Sequence, residues 1–398
     1  MNNLAVILYV CLGAALGQAG LFIDLPSLPQ LATAFGVDAA ATQTTVTAYA
    51  LGYGASQLVW GPLSDRRGRK PIALAGLGVF IAASLLLAVV PGFGPFLVLR
   101  VVQGVGAGCG TSVSRAALRD VLSNRELARA MSFASISFAL ALGLAPFVGG
   151  LIARATSWRV DFLLLAALGL TTATYLARAL PESLSAERAA VGSNQSVAAI
   201  GRSYLRLAVD ARFLLPALIA TLATGMIALY DAASPFIFET RFGFNAAGFG
   251  SLSLGLTVAY ISGALMVVRF VVARGQPWLL RFGLGTILLG GLLMVGLGLG
   301  GWFDTLSLFL PMLVITVGAS VLVPIGLAMP MQAFPAQAGQ ASALTGFLQQ
   351  EGSGLLVLIA TVLPATSQLP LALTLLALAL VLGLLVRTYT RHTRLSPA

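Results

Sequence analysis

Gly61-Pro62-Leu63-Ser64-Asp65-Arg66-Arg67-Gly68-Arg69-Lys70-Pro71 lies between two long apolar runs. A signal that only fixed orientation in a membrane would need the positive charge of this turn. It would need neither Asp65 nor the glycines at 61 and 68. The runs on either side are the rule along the chain. The composition is 58% hydrophobic and 9% charged, with a mean hydropathy of +0.95. Soluble domains carry roughly 25% charged residues. A water-soluble core has no use for this much apolar surface, whereas a bilayer does.

A spanning helix needs about 20 apolar residues. Twelve such runs are present, at 4–25, 41–62, 71–91, 94–115, 128–153, 159–180, 212–237, 246–272, 277–300, 305–330, 340–364 and 367–388. They are too long, and too free of alternation, for the strands of a membrane barrel. The first run has no positive leader and reads as a retained helix rather than a cleaved signal. The expected fold is therefore an all-α integral membrane protein with twelve transmembrane helices. The longest polar stretch, 181–211, divides the chain into six runs on each side, giving bundles at 1–180 and 212–398 joined by a linker. Within the linker, Val197, Ile200, Tyr204 and Leu207 recur at helical spacing with Arg202 and Arg206 on another face, which predicts a short interfacial helix. Arg274, Gly275 and Pro277 faintly repeat Arg67, Gly68 and Pro71, as two repeated bundles would.

Of 23 Lys and Arg, 19 fall in the clusters 66–70, 115–129, 178–212, 269–281 and 387–394; the others are Arg100, Arg154, Arg159 and Arg241. These clusters share one side if both termini are cytoplasmic. The net charge of +10 is then a topology signal and not a nucleic-acid footprint. The expected location is the inner (plasma) membrane. Cys11 and Cys109 both lie in apolar segments, so neither a structural disulfide nor a metal site is expected. The single histidine, His392, is in the basic tail. No nucleophile–base pairing, phosphate-cradling loop or cofactor motif is present, so neither an enzyme nor an ATP-driven pump is indicated.

Five elements carry a resemblance to a known family. Residues 61–71 fit G-x-x-x-D-R-x-G-R-[RK]-P, which resembles the loop between spans 2 and 3 of the major facilitator superfamily of secondary transporters. Arg100, Gln103, Gly104, Gly106 and Ala107 resemble that superfamily's R-x-x-Q-G-x-G-A element in span 4. Gly20, Pro26 and Pro29, with Asp24 between them, resemble the first-span signature of twelve-span drug:proton antiporters. The acid followed by Leu25-Pro26-Ser27-Leu28-Pro29 has the character of the Bcr/CflA branch of bicyclomycin and chloramphenicol or florfenicol exporters, as does Ser234-Pro235-Phe236. In span 5, Pro146, Gly149 and Gly150 match G-x-x-x-G-P-x-x-G-G, while Ala141 and Ala145 replace glycines. The resemblance implies two six-helix bundles around a central cavity and proton-coupled efflux of drugs or small amphipathic compounds by alternating access.

Charged groups inside a membrane are costly and usually functional. Asp24 at the outer end of span 1, Arg100 in the outer part of span 4, Asp231 deep in span 7 and Glu351 in the middle of span 11 are the candidate proton-coupling residues. The other acids, Asp161, Glu239 and Asp304 among them, read as loop or helix-end groups. A bland reading stays open, with Asp24 in the aqueous boundary and Arg100 reaching its head to the interface. In span 2, Thr42, Thr45, Tyr49, Gly52, Tyr53 and Ser56 share one face that should point inward. Tyr49, Tyr53, Gln103, Met226 and Tyr230 are the candidate substrate contacts. Gly61, Asp65, Arg66, Arg69, Pro146 and Gly149 are the candidate gating residues. The expected partners are a small-molecule substrate, protons and lipid, with the chain working as a monomer. A carrier of a metabolite (nucleoside, peptide or siderophore) is the alternative within transport. A membrane sensor without transport has no need of a coupling arginine.

Overall fold

The computed structural model describes residues 3–37, 39–183, 197–243, 246–357, 359 and 368–395. The linker residues Glu187, Arg188 and the run 192–196 lie outside them. Among the described residues there are fourteen α-helices and no strand. They are α1 (Asn3–Phe22), α2 (Leu28–Phe35), α3 (Ala39–Arg67), α4 (Arg69–Leu87), α5 (Phe93–Val121), α6 (Asn124–Ala155), α7 (Trp158–Ala179), α8 (Val197–Val209), α9 (Ala211–Phe242), α10 (Ala246–Arg274), α11 (Gln276–Leu299), α12 (Thr305–Ala333), α13 (Ala338–Val357) and α14 (Leu369–Leu395). Single 3₁₀ turns occupy Leu25–Ser27 and Pro335–Gln337.

Twelve of the helices are 19 to 32 residues long. At about 1.5 Å per residue, even 19 residues reach close to the ~30 Å of a bilayer's hydrocarbon core. In lipid a helix satisfies its own backbone polar groups, so long apolar runs become helices. Ten helices are apolar enough to cross a membrane by length and composition. The other two long ones, α3 and α13, carry polar rows instead. On α3, Thr42, Thr45, Tyr49, Tyr53, Ser56 and Gln57 are buried; on α13, Gln340, Ser342, Thr345 and Ser353 are. The polar face predicted on span 2 is thus turned inward. Leu85, Leu86, Leu170 and Leu292 are exposed on the outside of other helices. Such surface suits lipid and would be a liability in water.

The chain divides into two compact units. One comprises Met1–Ser123, Ser137–Tyr204 and Phe334–Phe347; the other comprises Asn124–Ile136, Leu205–Ala333 and Leu348–Ala398. Both α6 and α13 therefore contribute to each unit. In the first unit, α5 packs against α1, α3 and α4, and α7 packs against α1 and α4. In the second, α12 packs against α9, α10 and α11, and α14 packs against α9 and α11. The same wiring recurs six long helices later.

The stretch 61–71 is not the loop expected from its charge. Helix α3 runs through Arg67 and α4 begins at Arg69, so only Gly68, at φ +97°, lies outside a helix. Helices can continue beyond the apolar core, and Pro71 is tolerated because it sits in the first turn of α4. Gly275, at φ +76°, separates α10 from α11 in the same way. The predicted linker helix is α8. It exposes Arg202 and Arg206 and buries Leu207. It is held by the Tyr204 hydroxyl donating to the carbonyl of Leu58 at 2.5 Å and by Ser203 donating to Gln337 at 2.9 Å.

Candidate functional site

Pro26 and Pro29 stop α1 from running straight into α2, and Asp24 falls at the start of the 3₁₀ turn that replaces it. Its carboxylate is fully buried, as is Arg100, eight residues into α5. Arg100 Nη2 meets Asp24 Oδ1 at 3.3 Å. The same guanidinium donates through Nη1 to the carbonyl of Gly20 at 2.8 Å and to Gln103 Oε1 at 2.7 Å, and through Nε to the carbonyl of Thr45 at 3.4 Å. Its carbon lies 4.8 Å from the centre of the Tyr49 ring and 5.8 Å from that of Phe162. A guanidinium stays charged at working pH, so burying it demands such a full set of acceptors. The open alternative, a boundary acid and an interface-seeking arginine, is therefore overturned for both residues.

The candidate substrate contacts around this pair are already engaged with protein. Gln103 accepts from Arg100 and donates its amide to Ser84 Oγ at 2.9 Å. Tyr49 donates its hydroxyl to the carbonyl of Gly17 at 2.8 Å, and Tyr53 hydrogen-bonds Thr111 at 2.9 Å. The two tyrosine rings stack at 6.0 Å. Gly20 has a specific reason to be glycine. A β-carbon there would stand 2.9 Å from Cζ of Tyr49. A β-carbon at Gly104 would stand 2.9 Å from the amide nitrogen of Tyr53, so α3 and α5 can approach only without it. Gly149 on α6 lies against the carbonyl of Ile23, next to Asp24, and Pro146 is half-buried one turn earlier.

Asp161 lies at a helix end, as the sequence suggested, in the first turn of α7, but it is fully buried. Ser27 donates to its Oδ2 at 2.7 Å. The rings of Phe35, Phe96, Trp158 and Phe162 close over this end of the unit with centroids 5.4 to 6.1 Å apart. Arg115, counted with a positive cluster, is a correction. It is buried, donating to Gln57 Oε1 at 2.7 Å and to the carbonyl of Thr111 at 3.1 Å.

The second unit's candidates are not part of this cluster. Met226 and Tyr230 are buried one turn apart on α9, with Asp231 beside them and half-buried. Glu351 is half-buried on α13. Neither acid forms an ion pair among the described residues.

Of the gating candidates, Asp65 and Arg69 are paired. Arg69 Nη1 lies 2.5 Å from Asp65 Oδ1, and its Nε donates to Asp120 Oδ2 at 2.9 Å. Nη1 also donates to Ser64 Oγ at 2.7 Å. The backbone amides of Arg69 and Lys70 donate to Glu182 at 2.8 and 3.1 Å, so this carboxylate caps α4. Asp120 and Glu182 carried no motif of their own in the sequence. Asp65 faces the first turn of α13, where the amide of Gln340 donates to it and Gly339 leaves room for it. Burial pushes the Asp65 carboxyl above its ordinary range, with Arg69 opposing that shift. Gly61 lies against the same turn, since a β-carbon there would stand 2.5 Å from the carbonyl oxygen of Gly339. Arg66 is half-exposed at the end of α3.

A family model described as Major Facilitator Superfamily matches residues 10–358. Multidrug resistance protein D of Escherichia coli (strain K12) is 30% identical over 392 residues, covering 96% of this chain and 95% of that protein. A chloramphenicol resistance protein of Pseudomonas aeruginosa is 29% identical, covering 93% of this chain and 87% of its own length. The solved structure of the human organic anion transporter MFSD10 (TETRAN) superposes with a TM-score of 0.79 over 97% of this chain and 100% of that one, at 18% identity.

Proposed function

The chain belongs to the Major Facilitator Superfamily, and on that premise we propose that it is a proton-coupled exporter of drugs and other small amphipathic compounds, working by alternating access. The observation that carries the reading is the buried pair of Asp24 and Arg100. A carboxylate sealed from water beside a fixed cation is a group whose proton and counter-charge can exchange roles. Burial and the guanidinium act on its proton affinity in opposite senses, so a conformational change that alters either one changes its protonation. Uptake of a proton neutralises Asp24 and loosens the pair; arrival of substrate favours the ionised pair and releases the proton. The relatives named for multidrug and chloramphenicol resistance support a drug-like substrate.

In this reading the six-helix bundles are 1–180 and 212–398, the linker and both termini are cytoplasmic, the membrane is the inner one and the monomer is the working unit. Asp231 and Glu351 serve as further acids in the pathway, and Met226 and Tyr230 contact substrate. Asp65, Arg66 and Arg69 form a latch that shifts the balance of states, which takes only a few kcal/mol.

The deciding experiment uses inverted membrane vesicles, a panel that includes chloramphenicol and bicyclomycin, and an imposed pH gradient. Compound-dependent proton release supports antiport. Co-transport of a metabolite with protons would replace the exporter with a symporter. Orientation is checked separately with Ser193→Cys, which should resist a membrane-impermeant thiol reagent in intact cells; ready labelling would invert the topology.

A further inference from the structure

The site around Arg100 holds more negative charge than the proposed coupling pair accounts for. Among the described residues, Asp24 uses Oδ1 for Arg100, while its Oδ2 is buried with no hydrogen-bond partner. Asp161 likewise uses Oδ2 for Ser27, while its Oδ1 is buried with no partner among them. Ser27 joins the two acids. Its backbone amide donates to the carbonyl of Asp24 at 3.0 Å, and its hydroxyl donates to Asp161 at 2.7 Å. Arg100 faces the ring of Phe162, the residue that follows Asp161.

Among the described residues, the elements packed here turn no second cation toward the pair; Arg154 on α6 is exposed. Helix α3 brings the Tyr49 phenol, already bonded to Gly17, and α4 brings Ser84, reached through Gln103. Helix α2 brings Gln30, which accepts from the amide of Trp158, and α6 brings Gly149. Arg159 is exposed and lies on the Trp158 ring at 4.2 Å. Two carboxylates and one guanidinium therefore share a buried enclosure. Two acids in such a place do not both stay ionised, because the second charge is removed from bulk solvent and has no cation of its own among the described residues.

We propose that Asp161 is a second proton-carrying residue of the coupling site, neutral while Asp24 is paired with Arg100. The inference rests on that pair being the coupling centre. The proton sits on Asp161 Oδ1, the oxygen without a partner, and Ser27 holds the other oxygen. When Asp24 takes up its own proton, Arg100 loses its counter-charge, and Asp161 becomes the acid able to replace it by releasing its proton to solvent as the cavity opens, so that the site holds one proton before and after the exchange. The site thus passes a charge from one carboxyl to the other instead of leaving a bare buried arginine. Ser27 acts as a positioning residue, setting the orientation of Asp161.

The test needs neither drug nor gradient, so it is separate from the vesicle experiment: a chain that exports nothing still binds protons. Proton uptake by the purified full-length protein in detergent is measured on going from alkaline to mildly acidic pH. Asp161→Asn should take up about one proton fewer per chain than the wild type, and Asp161→Glu should restore it. Infrared difference spectra of wild type minus Asp161→Asn at neutral pH should show loss of a protonated-carboxyl C=O band. The competing role is a fixed acid favoured by the N-terminus of α7, ionised throughout. That role gives unchanged uptake and loss of carboxylate bands, which would overturn the proposal. Should Asp161→Asn fail to fold, Ser27→Ala decides. It keeps both acids and removes one hydrogen bond, so the C=O band should shift; an unchanged spectrum would overturn the proposal.

Discussion

The first and second halves of the chain share a backbone plan and differ in buried charge. Helices α5 and α12 each anchor three neighbours, α7 and α14 take equivalent places, and Gly68 and Gly275 are equivalent joints. Among the described residues, however, the buried charged residues are Asp24, Arg69, Arg100, Arg115 and Asp161, all before residue 181. The buried polar residues of the later helices are Ser, Thr and Gln, such as Thr221, Ser234, Ser320 and Gln368. Helix packing needs apolar ridges and small residues, and both halves have them. Buried ions add little to net stability, since desolvation offsets attraction. Their confinement to one half therefore points to coupling centred there, with the other half supplying substrate contacts and acids of auxiliary weight.

The largest expected effect tests that asymmetry directly. Asp24→Asn should reduce gradient-driven export to background, because Asn keeps the shape but cannot exchange a proton. Binding of substrate, and exchange without a gradient, should survive. Asp231→Asn and Glu351→Gln should each leave export within about three-fold of wild type, a change below ~1 kcal/mol. Transport assays on all three variants check this. If Asp231→Asn abolishes export and Asp24→Asn does not, the proton path belongs to the second half.

Next in size is Arg100→Lys. The ammonium keeps the charge but cannot span the carbonyls of Gly20 and Thr45, Gln103 and Asp24 with one planar fork. Export should fall by about ten-fold or more, equivalent to at least ~1.4 kcal/mol. Combined with Asp24→Asn the losses should be non-additive, which a double-mutant cycle on export rates and thermal stability would show. Additive losses would mean the two residues act apart.

Much of this was legible in the sequence, and the gaps have physical causes. Apolar run length gave the helices, and the residues of the signature motifs gave Asp24, Arg100 and Asp65, because each motif places chemistry within a few positions. Asp161 was not legible. Close to Ser157 and Arg159 it looks like an ordinary acid at a helix start, and what marks it out, its burial and its bond to Ser27, depends on chain 134 residues away. Glu182 was missed for the same reason: it caps a helix that begins 113 residues earlier. The stretch 61–71 looked like a loop because charge is a cue for solvent, yet charge does not end a helix and Gly68 does.

The two joints give a third contrast. Arg69 is held by Asp65 and Asp120, whereas Arg274 lies 5.3 Å from the ring of Trp278. Asp65→Asn should lower turnover about ten-fold, roughly 1.4 kcal/mol, while substrate affinity stays within a few-fold. Arg274→Gln should change turnover by less than about two-fold, as the loss of an exposed cation–π contact costs ~0.5–1 kcal/mol at most. Steady-state export against substrate binding separates the two quantities. Collapse of affinity in Asp65→Asn would remove it from the latch.

The smallest effect separates backbone from chemistry at these joints. Gly68 (φ +97°, ψ 151°) and Gly275 (φ +76°, ψ 166°) lie in a backbone region that only glycine enters freely, so alanine at either should cost about 1–3 kcal/mol of stability. A β-carbon at Gly275 would meet only Pro277 Cδ at 3.6 Å, an ordinary contact. At Gly68 it would stand 2.6 Å from Glu182 Oε2, the carboxylate that caps α4. Gly68→Ala should therefore lower the thermal unfolding temperature further than Gly275→Ala, and Gly68→Ala combined with Glu182→Ala should add little beyond the single changes. Equal shifts for the two glycine variants would mean that Glu182 yields without loss and that the joints differ in sequence alone.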